Sequence, residues 1–411
     1  MSGLSIRPYF PFARMRVVEQ NVHLDLSHPG AVLRLQPDQR FRPICHVCGT
    51  AGQVHSQGLR RFIRDLNVGP AQTWLHVEYR RVWCPACRKA KVERFDFADS
   101  SQRITHRLAR YIYGLCQVMT VQDVARHLDL DPKTVRAVDK HFLQQEFGAT
   151  DYQGLQILAM DEIALTQGQL GYMTVVLDYS TGRVVWMGRG RNKETLDAFF
   201  AGMNAQQKQA IQAVALDMWE PFINRVQHHC PQAKIVFDLF HLVKAFGEVI
   251  DEVRREEVRK AAGHPEARYI KGSRYLLLKN RENLRPDEHV RLLELLAVNQ
   301  RLSAVYMLKD QLKMIYRYCC RNWAAKALDQ WCALAAEVDH PLMRRFIGRL
   351  RFFEYGILNH CEFAIGTSRL EGLNNKIKVI KRKAYGFHDP EYFALKVKQA
   401  APGLEPATKT G

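Results

Sequence analysis

The sequence predicts a multidomain α+β chain in which a cysteine-rich ribbon and a helix-turn-helix precede a mixed-sheet α/β domain carrying a helical insertion. Three observations predict it: two C-x-x-C pairs near the start, a helix–turn–helix cadence after them, and a strand–helix order of βββ, α, β, α, β, α from about residue 155. At 411 residues the chain has room for two or three domains, and 47% hydrophobic content is ordinary for globular proteins. Lysine and arginine outnumber acids 60 to 42, a formal net charge of +18, which favours a polyanionic partner and says nothing about fold. No apolar run approaches membrane-spanning length, so a membrane partner is not expected. No internal repeat or low-complexity linker interrupts the chain.

The first region, residues 1–100, carries CHVC (Cys45, Cys48) and CPAC (Cys84, Cys87), separated by strand formers such as TWLHVEYRRVW. Each knuckle offers two thiolates, and four complete a tetrahedral zinc site with no position left for water, so the zinc is expected to be structural. Disulfides are the competing reading. Without a secretory leader, and with the other cysteines scattered, a reducing cytoplasm is the better fit.

Residues 101–150 read as a helix-turn-helix domain within a helical unit from Ile104 to about Phe147. One helix spans Val121 to His127, a turn runs from Asp129 to Pro132, and a second helix is opened by Asp131, Pro132 and Lys133. The second helix would enter the major groove with Lys133, Thr134, Arg136 and Lys140 facing DNA.

Residues 151–250 carry the first part of the α/β core. LQILAMDEIAL, Leu155 to Leu165, is a buried strand with Asp161 near its exit; Leu170 to Asp178 and Arg183 to Met187 complete a meander. A helix from Lys193 to about Met203 follows. Short apolar runs then end on Asp217 (Ala213 to Leu216) and on Asp238 (Lys234 to Phe237). This order is that of an RNase H-like fold, whose mixed sheet sets the first and fourth strands side by side, so that their acids and one from a later helix can share metal ions. Residues 251–365 form the helical insertion. Leu239 to about Lys260 is one long amphipathic helix, and further helices fill Pro286 to Glu337, with Trp323 and Trp331 in their core and Cys319 and Cys320 as buried helix residues. Residues 366–400 supply the last helix of the core. There Glu371 stands at the head of a basic run in which Lys376, Lys378, Lys381, Arg382 and Lys383 can meet DNA phosphates. Residues 401–411 are a flexible tail.

MDEIAL, TVVLDYSTGRVVWMGRGRNKETLDAFF, ALDMWEPF, IVFDLFHLVKAFGEVIDEVRR and EGLNNKIKVIKRKAYGF together resemble the catalytic region of bacterial insertion-sequence transposases of the ISL-three family. The resemblance covers most of the chain from about Gln156 onward. It implies a DDE triad at Asp161, Asp217 and Glu371, catalytic Mg²⁺ or Mn²⁺, and an amino-terminal zinc-binding segment. Three converging carboxylates repel one another until divalent cations neutralise them, which agrees with that implication.

Neighbouring acids are rivals. Glu162 follows Asp161 on a strand, so only one of the two faces the site, and Asp161 is the choice. Asp178 opens the DYSTG turn as a turn former. Asp238 and His241 form a D-x-x-H that reads either as an accessory pair at the scissile phosphate or as a helix cap and a packed histidine. The expected function is a DNA transposase that binds terminal inverted repeats, cleaves there and joins 3′ ends to target DNA, as a homo-oligomer in the bacterial cytoplasm on the nucleoid. The alternatives are a zinc-dependent DNA-binding regulator with an inactive nuclease fold, which would require a missing acid, and a structure-selective nuclease or resolvase, which does not explain both a ribbon and a helix-turn-helix.

Overall fold

The computed structural model describes the chain except residues 1–5, 7, 9, 24–29, 100–102, 166–170, 367, 385–386, 388 and 404–411. Leu170, at the expected start of the second core strand, lies outside the described residues, as does the expected tail from residue 404. The chain divides into two compact units, Met1–Gln145 and Glu146–Gly411.

In the first unit, strands β1 (Met15–His23), β2 (Gly30–Pro37), β3 (Gln53–Val68), β4 (Ala71–Cys84) and β5 (Lys89–Val92) form one sheet in the order β1-β2-β4-β3, with β5 also paired to β4. β1 and β2 extend the sheet beyond the ribbon that cysteine spacing predicts. Their signal is the alternation of β2, which turns Ala31, Leu33 and Leu35 inward, where the two leucines meet Ile63, Leu75 and Val77 in the core. The β3–β4 hairpin turns through Gly69 at φ +58, a left-handed conformation that glycine adopts without steric cost. Behind β4, Arg80 and Glu93 form a buried ion pair at 2.7 Å, and the Arg80 backbone N–H donates to the same carboxylate at 2.8 Å. Removing one partner from such a pair typically costs about 3–5 kcal/mol, so it firmly ties the segment after β5 to β4.

Helices α1 (His106–Val118), α2 (Val121–Leu128) and α3 (Pro132–Phe147) follow. Thr105 and Thr120 cap α1 and α2 by accepting from the N–H groups of Leu108 and Asp123. α2 stops at Asp129, which adopts φ +51, and the Asp131 carboxylate accepts the Lys133 N–H at 2.6 Å to start α3. Ile112, Val124, Leu128 and Val135 fill the space between the three helices.

In the second unit, β6 (Ile157–Ala164), β7 (Tyr172–Asp178) and β8 (Arg183–Arg189) form an antiparallel meander. α4 (Lys193–Ala201) and α5 (Ala205–Ala210) lead to β9 (Ala213–Leu216), α6 (Glu220–His229) to β10 (Lys234–Phe237), and α7 (Leu239–Lys260) leaves the sheet. The order is β10-β9-β6-β7-β8, with β9 parallel to both β6 and β10. Alternation divides β6 between two cores. Leu158 and Met160 face a large core with Leu196, Phe199, Phe222 and Phe246, whereas Ala159 and Ile163 face a smaller one with Leu370, Leu373 and Ile377 of a late helix (Ser368–Lys383) and Phe393 and Val397.

Between α7 and the last helices lie α8 (Ala267–Ile270), α9 (Arg274–Leu278), α10 (Pro286–Val298), α11 (Gln300–Ile315), α12 (Arg321–Ala336), α13 (Pro341–Phe352) and α14 (Glu354–Leu358); α15 (Ser368–Lys383) and α16 (Pro390–Ala400) follow. Two expectations are corrected here. Trp331 is buried and its indole N–H donates to the Leu308 carbonyl at 2.8 Å, but Trp323 is 59% exposed. α12 turns Ala324, Leu328, Trp331 and Ala335 inward, and Trp323 falls one position off that stripe. Cys319 and Cys320 are exposed rather than buried, because α11 ends at Ile315 and the pair occupies the connection to α12.

Gly356 lets α14 sit against β10: a Cβ there would lie 2.3 Å from the Phe237 ring. Gly356→Ala should destabilise the second unit by about 1–3 kcal/mol, the usual cost of overpacking. Denaturant unfolding would measure it, and an unchanged midpoint would contradict the tight approach.

Candidate active site

The pairing of β9 with its two neighbours gathers three aspartates. Ala159 pairs with Ala215 and Phe237 with Leu216, so continuing both registers sets residue 161 beside 217 and 217 beside 238. Asp217 and Asp238 follow the last residues of β9 and β10, at the carboxyl edge where open α/β sheets commonly place ligands, and Asp161 lies beside them within β6, which runs on to Ala164. Asp161 shares a face with Ala159 and Ile163, and Asp217 shares one with Ala215, all on the side that α15 covers. Each carboxylate accepts the next backbone N–H, Glu162 N at 2.8 Å for Asp161 and Met218 N at 2.6 Å for Asp217. These bonds hold the two carboxylates in place.

His241, in the first turn of α7, stands between them. Its Nε2 lies 3.8 Å from Asp161 and its Nδ1 3.4 Å from Asp217. Asp238 caps the same helix by accepting the Phe240 N–H at 2.8 Å, and burial pushes its carboxyl above the usual range, opposed by that hydrogen bond and by His241. Of the D-x-x-H, the aspartate is thus a helix cap, and the histidine faces the acid pair. Glu162 belongs to the opposite face of β6. Burial pushes its carboxyl up as well, and Arg191, 3.8 Å away, pulls it back. Asp178 serves its turn, accepting from the Ser180 N–H at 3.0 Å and the Thr181 hydroxyl at 2.6 Å.

Glu371 is exposed in the first turn of α15. One turn further on, Asn374 donates its side-chain N–H to Asp161 at 2.6 Å, so the face of α15 that bears Glu371 docks at the acid pair. The start of the helix is fixed to the β7–β8 turn: Arg369 donates to the carbonyls of Tyr179 and Ser180, and the Gly366 N–H donates to the Tyr179 hydroxyl at 2.7 Å. Glu371 also lines a cavity of about 820 Å³ that runs along α7 past Phe240, Lys244 and Glu248. Among the described residues, three or more ligating side chains come within 4.8 Å of one another only at the cysteines described below. Asp161 and Asp217 are thus neighbours facing His241, and Glu371 stands on the helix that docks beside them without closing a cage.

Asn374, Arg349 and Arg191 escaped the sequence reading. Arg349 of α13 donates to the Met218 carbonyl at 2.9 Å and so steadies the loop after Asp217. Arg191 lies 4.2 Å above the Tyr172 ring and 6.0 Å from that of Trp219. Trp219 begins α6 with no side-chain cap, at a position where Ser, Thr, Asp or Asn contributes about 1 kcal/mol. Of these, only Asn374 had a readable signal, its i, i+3 spacing from Glu371.

The basic residues of α15 divide. Lys376 donates to the Ala400 carbonyl at 3.3 Å and Lys381 to the Ala164 carbonyl, whereas Lys378 reaches only its own helix neighbour Asn375 at 3.5 Å, and Arg382 and Lys383 are exposed. On α3, Lys133 and Arg136 are exposed, and Thr134 and Lys140 half-buried.

The four cysteines of the first unit meet as the spacing predicts. Cys48 Sγ lies 3.3 Å from Cys84 Sγ and 3.5 Å from Cys87 Sγ, and Cys45 Sγ lies 4.0 Å from Cys87 Sγ. A tetrahedral thiolate site with bonds of about 2.3 Å has edges of about 3.8 Å, so the donor set fits such an ion. Gly49 (φ +73) and Arg88 (φ +52) shape the knuckle turns, and all the cysteines are free thiols. Hydrogen bonding to Thr50, then to Cys84, holds the Cys48 thiol down at about 6, while its bonds to Cys48 and Cys84 push the Cys87 thiol up to about 12. Of these two, Cys48 is thus the more readily ionised.

Comparison with known proteins adds a further finding. A family model for ISL3-type DDE proteins, described as a transposase, matches residues 158–397, and one for the helix-turn-helix domain of transposase family ISL3 matches residues 93–143. The transposase for insertion sequence element IS1001 of Bordetella parapertussis is 43% identical over 380 residues, 91% of this chain and 93% of that protein. The transposase for insertion sequence element IS1557 of Mycobacterium tuberculosis is 26% identical over 405 residues, 92% of this chain and 90% of that protein.

In metal-stripped, reduced protein at neutral pH, iodoacetamide should modify Cys48 well before Cys87, with a rate that falls as pH drops through about 6. Mass spectrometry of timed aliquots checks this. Equal labelling of the two would mean that the thiolate is not localised.

Proposed function

The chain belongs to the ISL3 family of DDE transposases, and from that premise we propose that Asp161, Asp217 and Glu371 are its catalytic acids, acting on DNA at the terminal inverted repeats of an insertion sequence. One observation carries the assignment: Asp161, within β6, and Asp217, just after β9, lie side by side on neighbouring parallel strands on the sheet face that α15 covers, where Asn374, one turn beyond Glu371, is bonded to Asp161. The sheet order β10-β9-β6-β7-β8 supports an RNase H-like core. Domain limits at residues 100, 150, 250 and 365 remain part of this reading.

The oxygen donors suit a hard divalent cation, and the lateral approach of two carboxylates favours one. Magnesium or manganese held by the three acids would supply charge that activates an attacking oxygen and stabilises the leaving 3′ oxygen in cleavage and in 3′ end joining. The protein's own groups position the reactants. Asn374 and the Glu162 N–H orient Asp161, the Met218 N–H orients Asp217, and Arg349 steadies the loop between β9 and α6. His241, with Asp238 capping its helix, faces the place of the scissile phosphate and donates a hydrogen bond to it. Lys378, Arg382 and Lys383 meet flanking phosphates, while Lys376 and Lys381 first fix α15 to its neighbours.

A helix-turn-helix of this family implies DNA binding. Within it Lys133, Thr134, Arg136 and Lys140 read the repeats, and the four cysteines hold a structural zinc as a ribbon beside them. The working form is a homo-oligomer on DNA, acting at the nucleoid. Among the described residues no helix is long and apolar enough to cross a membrane.

Asp161→Asn, Asp217→Asn and Glu371→Gln should each abolish cleavage and joining, by at least about 100-fold, while repeat binding stays near wild type. A gel assay on repeat-bearing DNA with magnesium measures both; two of the three variants retaining activity would overturn the assignment. Freshly reduced, unchelated protein should hold one zinc per chain, lost in Cys45→Ser or Cys84→Ser together with local order. Metal analysis finding none would remove the ribbon reading.

A further inference from the structure

The acid pair has a feature that phosphate chemistry does not use: two large aromatic side chains stand exposed beside it. Trp219 comes two residues after Asp217 and is 43% exposed, although Met218 and Phe222 on either side are buried. Phe240 comes two residues after Asp238 and is 53% exposed. Since Phe237 pairs with Leu216, these two aromatics occupy equivalent places on adjacent strand-to-helix turns, at one edge of the sheet. Each opens a helix whose apolar stripe lies elsewhere. On α6 the buried positions are Phe222, Ile223 and Val226, and on α7 they begin at Leu242.

Neither aromatic is placed there by folding. Trp219 occupies an N-cap position without any side-chain cap, so local structure is worse with tryptophan than with serine or aspartate. Phe240 puts its ring beside His241, centroids 5.5 Å apart and edge-on, and lines the cavity that Glu371 also lines. Arg191 reaches over the Tyr172 and Trp219 rings, adding a cation at the same place. Local rules broken beside a reactive centre are the mark of a binding function. Exposed aromatic faces with an arginine, next to a phosphate site, are the chemistry that holds unpaired nucleobases: every base has a face to stack, and duplex bases are already stacked on each other.

We propose that Trp219 and Phe240 stack on unpaired bases flanking the scissile phosphate, so that the protein takes the DNA end locally melted rather than as intact duplex. This rests on the assignment of Asp161 and Asp217 as catalytic acids. Trp219 and Phe240 are strand-positioning residues under this inference. Base unpairing costs a few kcal/mol in duplex DNA, and stacking offsets that cost only where a pair must be opened.

The test compares fully paired repeat ends with ends mismatched at the bases flanking the cleavage point, using full-length wild type, Trp219→Ala, Phe240→Ala and Trp219→Phe, with thermal melts as a folding control. On paired ends each alanine variant should cleave about 10- to 100-fold more slowly; on mismatched ends the loss should shrink to within a few-fold, and Trp219→Phe should stay near wild type on both. 2-Aminopurine at a flanking position should be quenched by wild type and regain emission with Trp219→Ala or Phe240→Ala. Folded alanine variants that match wild type on paired ends, or that lose equally on both DNAs without a change in 2-aminopurine emission, would overturn the stacking role while leaving the acid assignment intact. A wild type inert on both DNAs in magnesium would instead sink the acid assignment, and this inference with it.

Discussion

The pairing of β9 with β6 is the constraint on which the rest of the second unit depends. Parallel neighbours require a crossover between them, which α4 and α5 provide. That arrangement sets Asp161 of β6 beside Asp217 at the end of β9. A shift of one residue would turn Asp161 to the opposite face and Glu162 toward α15, because side chains alternate. The shift is resisted by apolar residues on both faces: Leu158 and Met160 belong to one core and Ala159 and Ile163 to the other. Register is therefore fixed by burial on two sides, and the position of the carboxylates follows from hydrophobic packing.

The helical insertion acts on that arrangement from behind. Tyr316 donates its hydroxyl to the Phe237 carbonyl at 3.1 Å, Asn359 donates to the Ile235 carbonyl at 2.8 Å, and Arg349 reaches the Met218 carbonyl. Each takes a backbone acceptor at or near the ends of β9 and β10, where the sheet would otherwise offer unpaired carbonyls. Burial pushes the Tyr316 hydroxyl well above its ordinary range, so it remains a donor at any pH the protein meets. Lys309 shows the same device deeper in the insertion. Its ammonium donates to the carbonyls of Leu277 and Lys279 at 2.5 and 2.8 Å, and burial lowers it to about 8 from an ordinary 10.5. Because the unfolded lysine keeps its proton to higher pH, the folded state gains stability as pH rises from about 8 toward 10.5.

Much of this architecture was legible in the residues. Runs as short as Ala213–Leu216 and Lys234–Phe237 can be placed because each carries at least three consecutive apolar residues and stops on an aspartate, and α7 because its stripe repeats over many turns. The two knuckles of cysteines announced their meeting across a long gap, since paired C-x-x-C spacing is that of a four-thiolate site. Less was legible where a role depends on a partner far away in sequence. Asn374 and Asp161 are separated by 213 positions, and Arg349 and Met218 by 131, and neither pairing leaves a local trace. Trp323 and the Cys319–Cys320 pair fail for a different reason: composition marks them as core, and one step of helical phase or one premature helix end puts them in solvent.

The wide spacing of β9 and α15 along the chain also orders how the second unit is completed. Glu371 follows Asp217 by about 150 residues, and α15 can dock only after the whole insertion has been made. At a synthesis rate of about 5–20 residues per second, the aspartate pair precedes the start of α15 by about 8–30 s. During that interval the emerging polypeptide already carries its cysteine and helix-turn-helix modules, ahead of the sheet in the sequence. The cysteine and helix-turn-helix modules are therefore complete, and free to fold as a unit of their own, before α15 can cover the sheet.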